Sequence, residues 1–253
     1  MTRPVVIKIG GHELDSEGFL IDLAQTIARL RSPVVIVHGG GKEISHLQTV
    51  MSIEPVYLDG VRVTDQASLA LVEMVLCGTV NKRLVRYLVA GGVDALGISG
   101  VDRGLIRAEK MPHEHRDMGY TGVVKSVRGE VLREMLDQGI TPVIAPICLG
   151  SESVFNVNAD HVAGAIAGAI EASRVVFLTN VEGVLVDGDV MFDLTPERTS
   201  ELIQEGIIFG GMIPKVQTAL HVLGAGVPQA AITNLAGLRT HGGTVFTLVT
   251  LPA

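Results

Sequence analysis

The sequence has no tryptophan and few aromatic residues, and this shortage excludes one large class of proteins. Aromatic residues make up 4% of the 253 residues, which is too few for a surface that stacks nucleic-acid bases. The formal net charge of −7 also argues against a general nucleic-acid binder, while a locally basic pocket for a small anion stays compatible with it. We therefore expect a protein that acts on small molecules and has no nucleic-acid partner.

Cysteine and long hydrophobic runs are also scarce. The two cysteines, Cys77 and Cys148, lie in apolar stretches with no metal-ligand spacing between them, so we expect free thiols in a reducing compartment and no metal held by side chains. The apolar start is too short for a signal peptide, and residues 162–170 fall short of the ~20 residues of a membrane span. These features predict a soluble cytoplasmic protein with no membrane partner.

Short β-branched runs alternate with helical patterns along the chain. This rhythm predicts an α/β protein whose mainly parallel sheet has helices on both faces. Asp-Gly turns predict hairpins at residues 56–63 and 183–192. Apolar residues spaced by three and four predict one long helix over residues 66–90, and Ser16 is placed to cap a helix over residues 17–31.

Glycines follow two of the predicted strands. Gly10 and Gly11 come after "VVIKI", and three glycines that include Gly40 and Gly41 come after "VVIVH". Ligands of parallel sheets bind at the carboxyl ends of strands, and backbone N–H groups beside a helix N-terminus attract phosphate. The spacing matches neither a Walker A loop nor G-x-G-x-x-G. Tight turns without a ligand are the alternative reading.

Several charged and polar residues are candidates for the same site. Lys8 lies inside an apolar strand, where a lysine is costly unless its ammonium emerges at the strand end; a solvated edge strand is the alternative. Lys215, taken alone, is typical of a surface lysine. Arg62 suits a carboxylate ligand or a surface ion pair. In "FNVNAD", Asn156, Asn158 and Asp160 point the same way if the segment is extended, but the last two could instead cap a helix.

Together these segments resemble a known family. The motifs "KIGG", "VHGGGKE", "GVRVTD", "VNKRLV", "GISGVD", "PVIAPI", "FNVNADHVAGAIA", "LTNVEGVL" and "GGMIPKV" are similar to those of the amino acid kinase superfamily, and most similar to its acetylglutamate kinase branch. The resemblance implies an open αβα sandwich that transfers the γ-phosphoryl group of ATP to the γ-carboxylate of N-acetyl-L-glutamate in arginine biosynthesis. It also implies an N-terminal lobe, residues 1–172, for the amino acid and dimerisation, and a C-terminal lobe, residues 173–253, for ATP.

The resemblance also implies a role for each motif residue. Lys8 and Lys215 would stabilise the transferring phosphoryl group, and Asp160 would orient both lysines. The expected backbone donors to phosphate and substrate are Gly10, Gly11, Gly40 and Gly41. Arg62, Asn156 and Asn158 would hold the amino acid, and Mg²⁺ would accompany ATP. The expected nucleotide contacts are Asn180, Gly183, Leu185, Ile207 and Phe209. Because a carboxylate has a pKa of ~4.3, the acceptor is already a nucleophile at neutral pH, and we expect the hairpin at residues 56–63 to cover it.

Departures from the family pattern define further expectations. The helix that precedes the first strand in arginine-inhibited members has no counterpart here, and the end of the sequence is short, so we expect a homodimer that is insensitive to arginine. The apolar stripe of residues 66–90 is a candidate interface, with core packing as the alternative. Tyr120 and Thr121 partly resemble the kinase that acts on aminoadipate attached to a carrier protein, which keeps that substrate as an alternative. A non-catalytic ligand sensor is the other alternative.

Overall fold

The computed structural model describes residues 2–11, 14–58 and 60–249 and has the predicted α/β class. Its strands are β1 (Val5–Ile9), β2 (Val34–His38), β3 (Val56–Leu58), β4 (Val61–Val63), β5 (Ala95–Gly100), β6 (Ile106–Lys110), β7 (Thr121–Val127), β8 (Thr141–Leu149), β9 (Val154–Val157), β10 (Arg174–Leu178), β11 (Leu185–Val186), β12 (Asp189–Val190), β13 (Asp193–Leu194), β14 (Ala230–Thr233) and β15 (Thr244–Phe246). Its α-helices are α1 (Glu17–Arg29), α2 (Gly41–Val50), α3 (Gln66–Glu73), α4 (Asn81–Ala90), α5 (Gly129–Asp137), α6 (Ala159–Ala169), α7 (Pro196–Gln204), α8 (Met212–Gly224) and α9 (Leu235–Thr240).

One sheet runs through the molecule, with β10, β1, β2 and β8 adjacent and parallel at its centre. Strands β14 and β5 also pair in parallel, with β10 and β8 respectively. Antiparallel pairs such as β6–β7 and β14–β15 lie towards the two ends. The carboxyl ends of the central strands therefore meet at one edge, which is where the glycine turns after β1 and β2 lie.

Side-chain alternation along β1 and β2 builds a core on each face of the sheet. Val6 and Val37 belong to the cluster that contains residues of α5 to α8, whereas Ile7 and Ile36 belong to the cluster that contains residues of α1 to α4. Successive side chains of a strand point to opposite faces. Lys8 therefore shares the face of Val6 and points towards the α6 layer.

Most local predictions are confirmed. Ser16 caps α1 by accepting a hydrogen bond from the Phe19 N–H, and both Asp-Gly hairpins form, as β3–β4 and β11–β12. Asp59 of the first turn lies outside the described residues. Cys77 and Cys148 are free thiols, and burial raises their pKa values to about 11 and about 12. Strand β13 and helix α9 were not predicted from the sequence.

The predicted long helix over residues 66–90 is interrupted. Helices α3 and α4 flank a π-helical segment, Met74–Val80, in which the wider turn rotates all later side chains about the helix axis. Leu76 and Val80 of this segment pack against the glycine turn after β2: a Cβ added to Gly40 would lie 2.7 Å from Leu76 Cδ2. A side chain at position 40 would therefore have to displace Leu76 and Val80 of this segment.

The predicted boundary between residues 172 and 173 falls between α6 and β10. The sheet continues across it, because β10 pairs with β1 along five residue pairs, from Val5 and Arg174 to Ile9 and Leu178. None of the helices in the described ranges combines the length and hydropathy needed to cross a lipid bilayer.

Candidate active site

A cavity of about 320 Å³ opens at the carboxyl edge of the central strands. Its lining contains eight of the residues predicted from the sequence: Lys8, Gly11, Gly40, Gly41, Arg62, Asn156, Asn158 and Asp160. These residues come from β1, the two glycine turns, the β3–β4 hairpin, β9 and the start of α6. The fold thus brings most of the predicted amino-acid and phosphoryl contacts into one place.

Lys8 and Asp160 form an ion pair in the wall of this cavity. Lys8 Nζ lies 2.9 Å from Asp160 Oδ1, and their side chains are 18% and 25% exposed. The alternation of β1 accounts for the contact, because Lys8 points to the face covered by α6 and lies one residue before the strand ends. Lys8 is therefore held at the cavity and does not lie on a solvated edge strand.

Asn158 and Asp160 reach the cavity by a different route from the one predicted. Strand β9 ends at Val157, and Asn158 is the N-cap of α6, where its side chain accepts a hydrogen bond from the Asp160 N–H. The extended segment therefore reaches Asn158, whose backbone is still extended, and the predicted alternation is wrong only for Asp160, which lies in the first turn of α6. The helix starts here because an asparagine satisfies a free N–H of the first turn, and that turn carries Asp160.

The two glycine turns lie against each other beside the cavity. A Cβ on Gly11 would lie 3.3 Å from the Gly41 nitrogen and 3.4 Å from the Gly40 nitrogen. The Gly10 N–H donates to the Leu178 carbonyl and the Gly39 N–H to the Ile9 carbonyl, so both extend the sheet ladder. Within the described ranges, the N–H groups of Gly11, Gly40 and Gly41 have no protein acceptor. They are donors available to an anion.

Arg62 is a buried cation surrounded by neutral groups. It is 9% exposed and donates to Gln48 Oε1, Tyr57 Oη, Ser45 Oγ at 2.9 Å and the Gly41 carbonyl at 3.4 Å. Its guanidinium also lies 4.8 Å from the centre of the Tyr57 ring. Burial lowers the pKa of Arg62, but an arginine stays charged. No carboxylate of the described residues pairs with it, so within that part of the chain Arg62 forms no surface ion pair.

Thr121 and Thr64 anchor the hairpin that carries Arg62. Thr121 Oγ1 donates to the Arg62 carbonyl at 2.6 Å and accepts from the Thr64 N–H at 3.1 Å. Asn156 Nδ2 donates to Thr64 Oγ1 at 3.1 Å. Thr121, which with Tyr120 resembles the carrier-linked kinase, thus fixes the backbone of β4. These roles depend on contacts between distant segments, which no local pattern reveals.

The predicted nucleotide contacts lie outside this cavity. Asn180 is exposed after β10, and Leu185 and Phe209 are exposed apolar side chains. The Ile207 N–H already donates to the Leu202 carbonyl. A Cβ on Gly183 would lie 2.7 Å from Thr244 Oγ1, so packing against β15 is enough to explain that glycine. Gly10 also lies outside the cavity lining.

Lys215 lies on the first turns of α8, and its side chain is half-buried. It does not line the cavity. Helices α6 and α8 run in the same direction. Gly164 of α6 lies next to Val222, and Gly168, one turn further along α6, lies next to Ala225, just past the end of α8. Asp160 and Lys215 both precede these contacts, so the N-terminal ends of both helices face the same side of the molecule.

Comparisons with known proteins agree with this geometry. The model of the amino acid kinase family matches residues 3–234. The chain belongs to the amino acid kinase family. A curated acetylglutamate kinase from Roseiflexus sp. (strain RS-1) is 54% identical over 246 residues, which cover 97% of this chain and 94% of that relative. Another, from Methanopyrus kandleri, is 46% identical over 95% of this chain and 98% of its own length.

A solved structure extends the likeness to three dimensions. The crystal structure of smu.665 from Streptococcus mutans UA159 has a TM-score of 0.82 and 32% sequence identity, covering 98% of this chain and all of that one. Membership in a kinase family indicates an enzyme that takes its phosphoryl group from ATP. The cavity, with two cations and free backbone N–H groups, has the chemistry to bring an anionic acceptor to such a donor.

Proposed function

We propose that this chain is an acetylglutamate kinase that transfers the γ-phosphoryl group of ATP to the side-chain carboxylate of N-acetyl-L-glutamate, a step of arginine biosynthesis. A carboxylate oxygen forms a bond to the γ-phosphorus while the bond to the β,γ-bridging oxygen breaks, so that an acyl phosphate and ADP result. The carboxylate needs no general base, since it is ionised at neutral pH. The remaining obstacle is repulsion between two anions.

The observation that carries the proposal is the buried guanidinium of Arg62. A charge out of water is unfavourable unless an opposite charge compensates it, and the partners of Arg62 in the described chain are neutral. A carboxylate of the substrate supplies that compensation with bidentate geometry. In our assignment Arg62 binds the α-carboxylate, Asn156 and Asn158 contact the substrate nearby, and the Gly40 and Gly41 N–H groups bind the reacting carboxylate.

Lys8 then lies where the transferring phosphoryl group passes, and Lys215 approaches it from the C-terminal lobe. Asp160 holds Lys8 in place through the 2.9 Å ion pair and orients Lys215 as the lobes close. We assign ATP to residues 173–253, with Asn180, Leu185 and Phe209 among its contacts and Gly11 facing its phosphates; Gly10 is left out because its N–H donates to the Leu178 carbonyl. No three His, Cys, Asp or Glu side chains of the described ranges cluster around a metal position, and we assign Mg²⁺ to the nucleotide phosphates.

A coupled ADP-release assay tests the assignment with three acceptors side by side: N-acetylglutamate, free glutamate and aminoadipate. We expect turnover with N-acetylglutamate and at most weak turnover with the others. Activity on free glutamate alone contradicts the assignment. Binding of acetylglutamate without ADP release indicates the sensor alternative. Activity only with a carrier-attached acceptor indicates the carrier-linked alternative, which the net charge of −7 disfavours because docking of an acidic carrier needs a basic surface.

The proposed homodimer is tested separately by light scattering, with a mass of twice 26.7 kDa as the expected result. A monomer at assay concentrations contradicts it. We place the interface on the exposed side of the predicted stripe, where Met74 and Val89 are 56% and 54% exposed. The periodic leucines of that stripe, among them Leu76, Leu84 and Leu88, are buried in the core of the chain itself.

A further inference from the structure

A buried polar network lies beneath the glycine turn, and the proposed chemistry does not use it. His38, the last residue of β2, is fully buried. Its side chain follows the alternation of β2 and points to the α4 face, opposite to Lys8. Its Nδ1 lies 2.9 Å from the Gly39 carbonyl oxygen, and its Nε2 lies 3.1 Å from Asn81 Nδ2. The network thus joins the turn to the first residue of α4.

The partners of Asn81 determine which ring nitrogen carries the proton. Asn81 Nδ2 also lies 2.9 Å from the Val143 carbonyl, and Lys82 Nζ lies 3.1 Å from Asn81 Oδ1. A carbonyl only accepts and an ammonium only donates, so the amide cannot be turned around. Asn81 Nδ2 therefore donates to His38 Nε2, which must be unprotonated. The neutral ring carries its hydrogen on Nδ1 and donates it to the Gly39 carbonyl.

Neighbouring residues hold this network in place. Lys82 Nζ also donates to the Gly97 carbonyl at 2.8 Å, and a Cβ on Gly97 would lie 2.1 Å from Asn81 Oδ1. The π-helical segment Met74–Val80 immediately precedes Asn81 and sets the face on which it lies. Burial lowers the pKa of His38 to about 4, so the ring is neutral at physiological pH and keeps the same tautomer.

The hydrogen bond from His38 decides the orientation of one peptide group in the turn. In a trans peptide the C=O and the following N–H point in opposite directions, and the described chain has no cis peptide. Because the Gly39 carbonyl is bound to the buried ring, the Gly40 N–H points away from that ring, and Gly40 itself lines the cavity. Glycine peptides rotate easily, and a flipped peptide would present a carbonyl oxygen to the anion.

We propose that His38 is a positioning residue that holds the Gly40 N–H towards the reacting carboxylate and the phosphoryl group that it receives, through its Nδ1–H bond to the Gly39 carbonyl. This inference rests on the proposed function. It assigns a role to the histidine of "VHGGGK" and to the asparagine and lysine of "VNKR". His38 itself touches no reacting atom.

Two variants distinguish the hydrogen bond made by Nδ1 from the one made by Nε2. In His38→Asn the side-chain NH₂ takes the place of Nδ1 and still donates to the Gly39 carbonyl. In His38→Gln the amide reaches the place of Nε2 and keeps the contact with Asn81 instead. Loss of one preorganised donor lowers kcat by ~10²–10³, and partial loss of its orientation by about tenfold to a hundredfold. We expect that fall in kcat/KM for acetylglutamate in His38→Gln, because the misplaced donor contacts the bound acceptor, and a kcat/KM near wild type in His38→Asn.

Thr26→Val is the matched control, since Thr26 is buried, donates to the Asp22 carbonyl and lies away from the cavity. We expect it to lower Tm without changing kcat/KM. Equal losses of kcat/KM in the two His38 variants, or losses that simply follow Tm across all three, overturn the inference. If the wild-type enzyme shows no ADP release with acetylglutamate, the proposed function has failed, which is a separate result.

Imidazole ¹⁵N NMR of the unmodified protein tests the same geometry without any variant. We expect the two nitrogens of His38 to report the neutral tautomer with the hydrogen on Nδ1. The opposite tautomer, or a charged ring at pH 7, overturns the inference whatever the activity of the enzyme.

Discussion

The pH dependence of stability offers a quantitative test of the buried histidine. His38 has a pKa of about 4 in the folded protein, chiefly because burial disfavours the charged ring, against an ordinary value of 6.5. As the pH falls below about 6.5, the unfolded chain takes up a proton that the folded chain does not accept until about pH 4. The stabilisation is therefore complete above pH 6.5 and is lost as the pH falls towards 4.

The magnitude follows from linkage. One extra proton on the unfolded state lowers the free energy of unfolding by about 1.4 kcal/mol per pH unit, and a difference of about 2.5 units gives a total of about 3 kcal/mol. Other groups titrate in the same range, so the quantity to compare is the difference between wild type and His38→Asn, which lacks the ionisable ring. We expect the wild type to lose about 3 kcal/mol more than the variant between pH 6.5 and pH 4.

The assay is urea unfolding at half-unit pH steps, followed by circular dichroism at 222 nm because the chain has no tryptophan. If the free energies of unfolding of the two proteins differed by the same amount at every pH, the reasoning would be refuted, since His38 would then titrate alike in the folded and unfolded states. A steeper decline in the variant would refute it equally.

The remaining predictions concern the cavity. Lys8→Met should lower kcat by ~10²-fold or more in the ADP-release assay, and an unchanged kcat contradicts its role. Lys215→Ala should lower kcat far more than the affinity for acetylglutamate measured by calorimetry; an unchanged rate removes it from the mechanism. Arg62→Lys should raise KM for acetylglutamate by about tenfold to a hundredfold, because a bidentate charge-assisted contact is lost, and a normal KM places the α-carboxylate elsewhere. Gly40→Ala should cost about 1–3 kcal/mol in urea unfolding, because its Cβ overpacks against Leu76, and full stability contradicts that contact.

Patterns that depend on near neighbours in the chain predicted much of this fold. The Ser16 cap and the Asp-Gly hairpins follow from local hydrogen bonding and turn geometry, which a short segment carries in itself. The position of Lys8 also follows from local features, because a lysine at the end of an apolar strand must emerge at the carboxyl edge of the sheet.

Other features depend on contacts between distant segments and have no local signature. Apolar spacing of three and four residues does not distinguish an α-helix from one interrupted by the π-helical segment Met74–Val80. Asn158 was equally compatible with a strand and a cap, and only the packing of α6 decides between them. The role of Thr121 depends on Thr64 and Arg62, which precede it by 57 and 59 positions in the sequence. The His38 network joins β2, α4 and β8.

The central claim is that the cavity at the carboxyl edge of the sheet binds the acceptor through Arg62 and the glycine N–H groups. A crystal structure with N-acetylglutamate and a non-hydrolysable ATP analogue tests it most directly. We expect one carboxylate of the ligand on the Arg62 guanidinium and the other within hydrogen-bond distance of the Gly40 and Gly41 nitrogens, facing Lys8. Acetylglutamate bound at another place, with Arg62 still surrounded only by Gln48, Ser45 and Tyr57, contradicts the account.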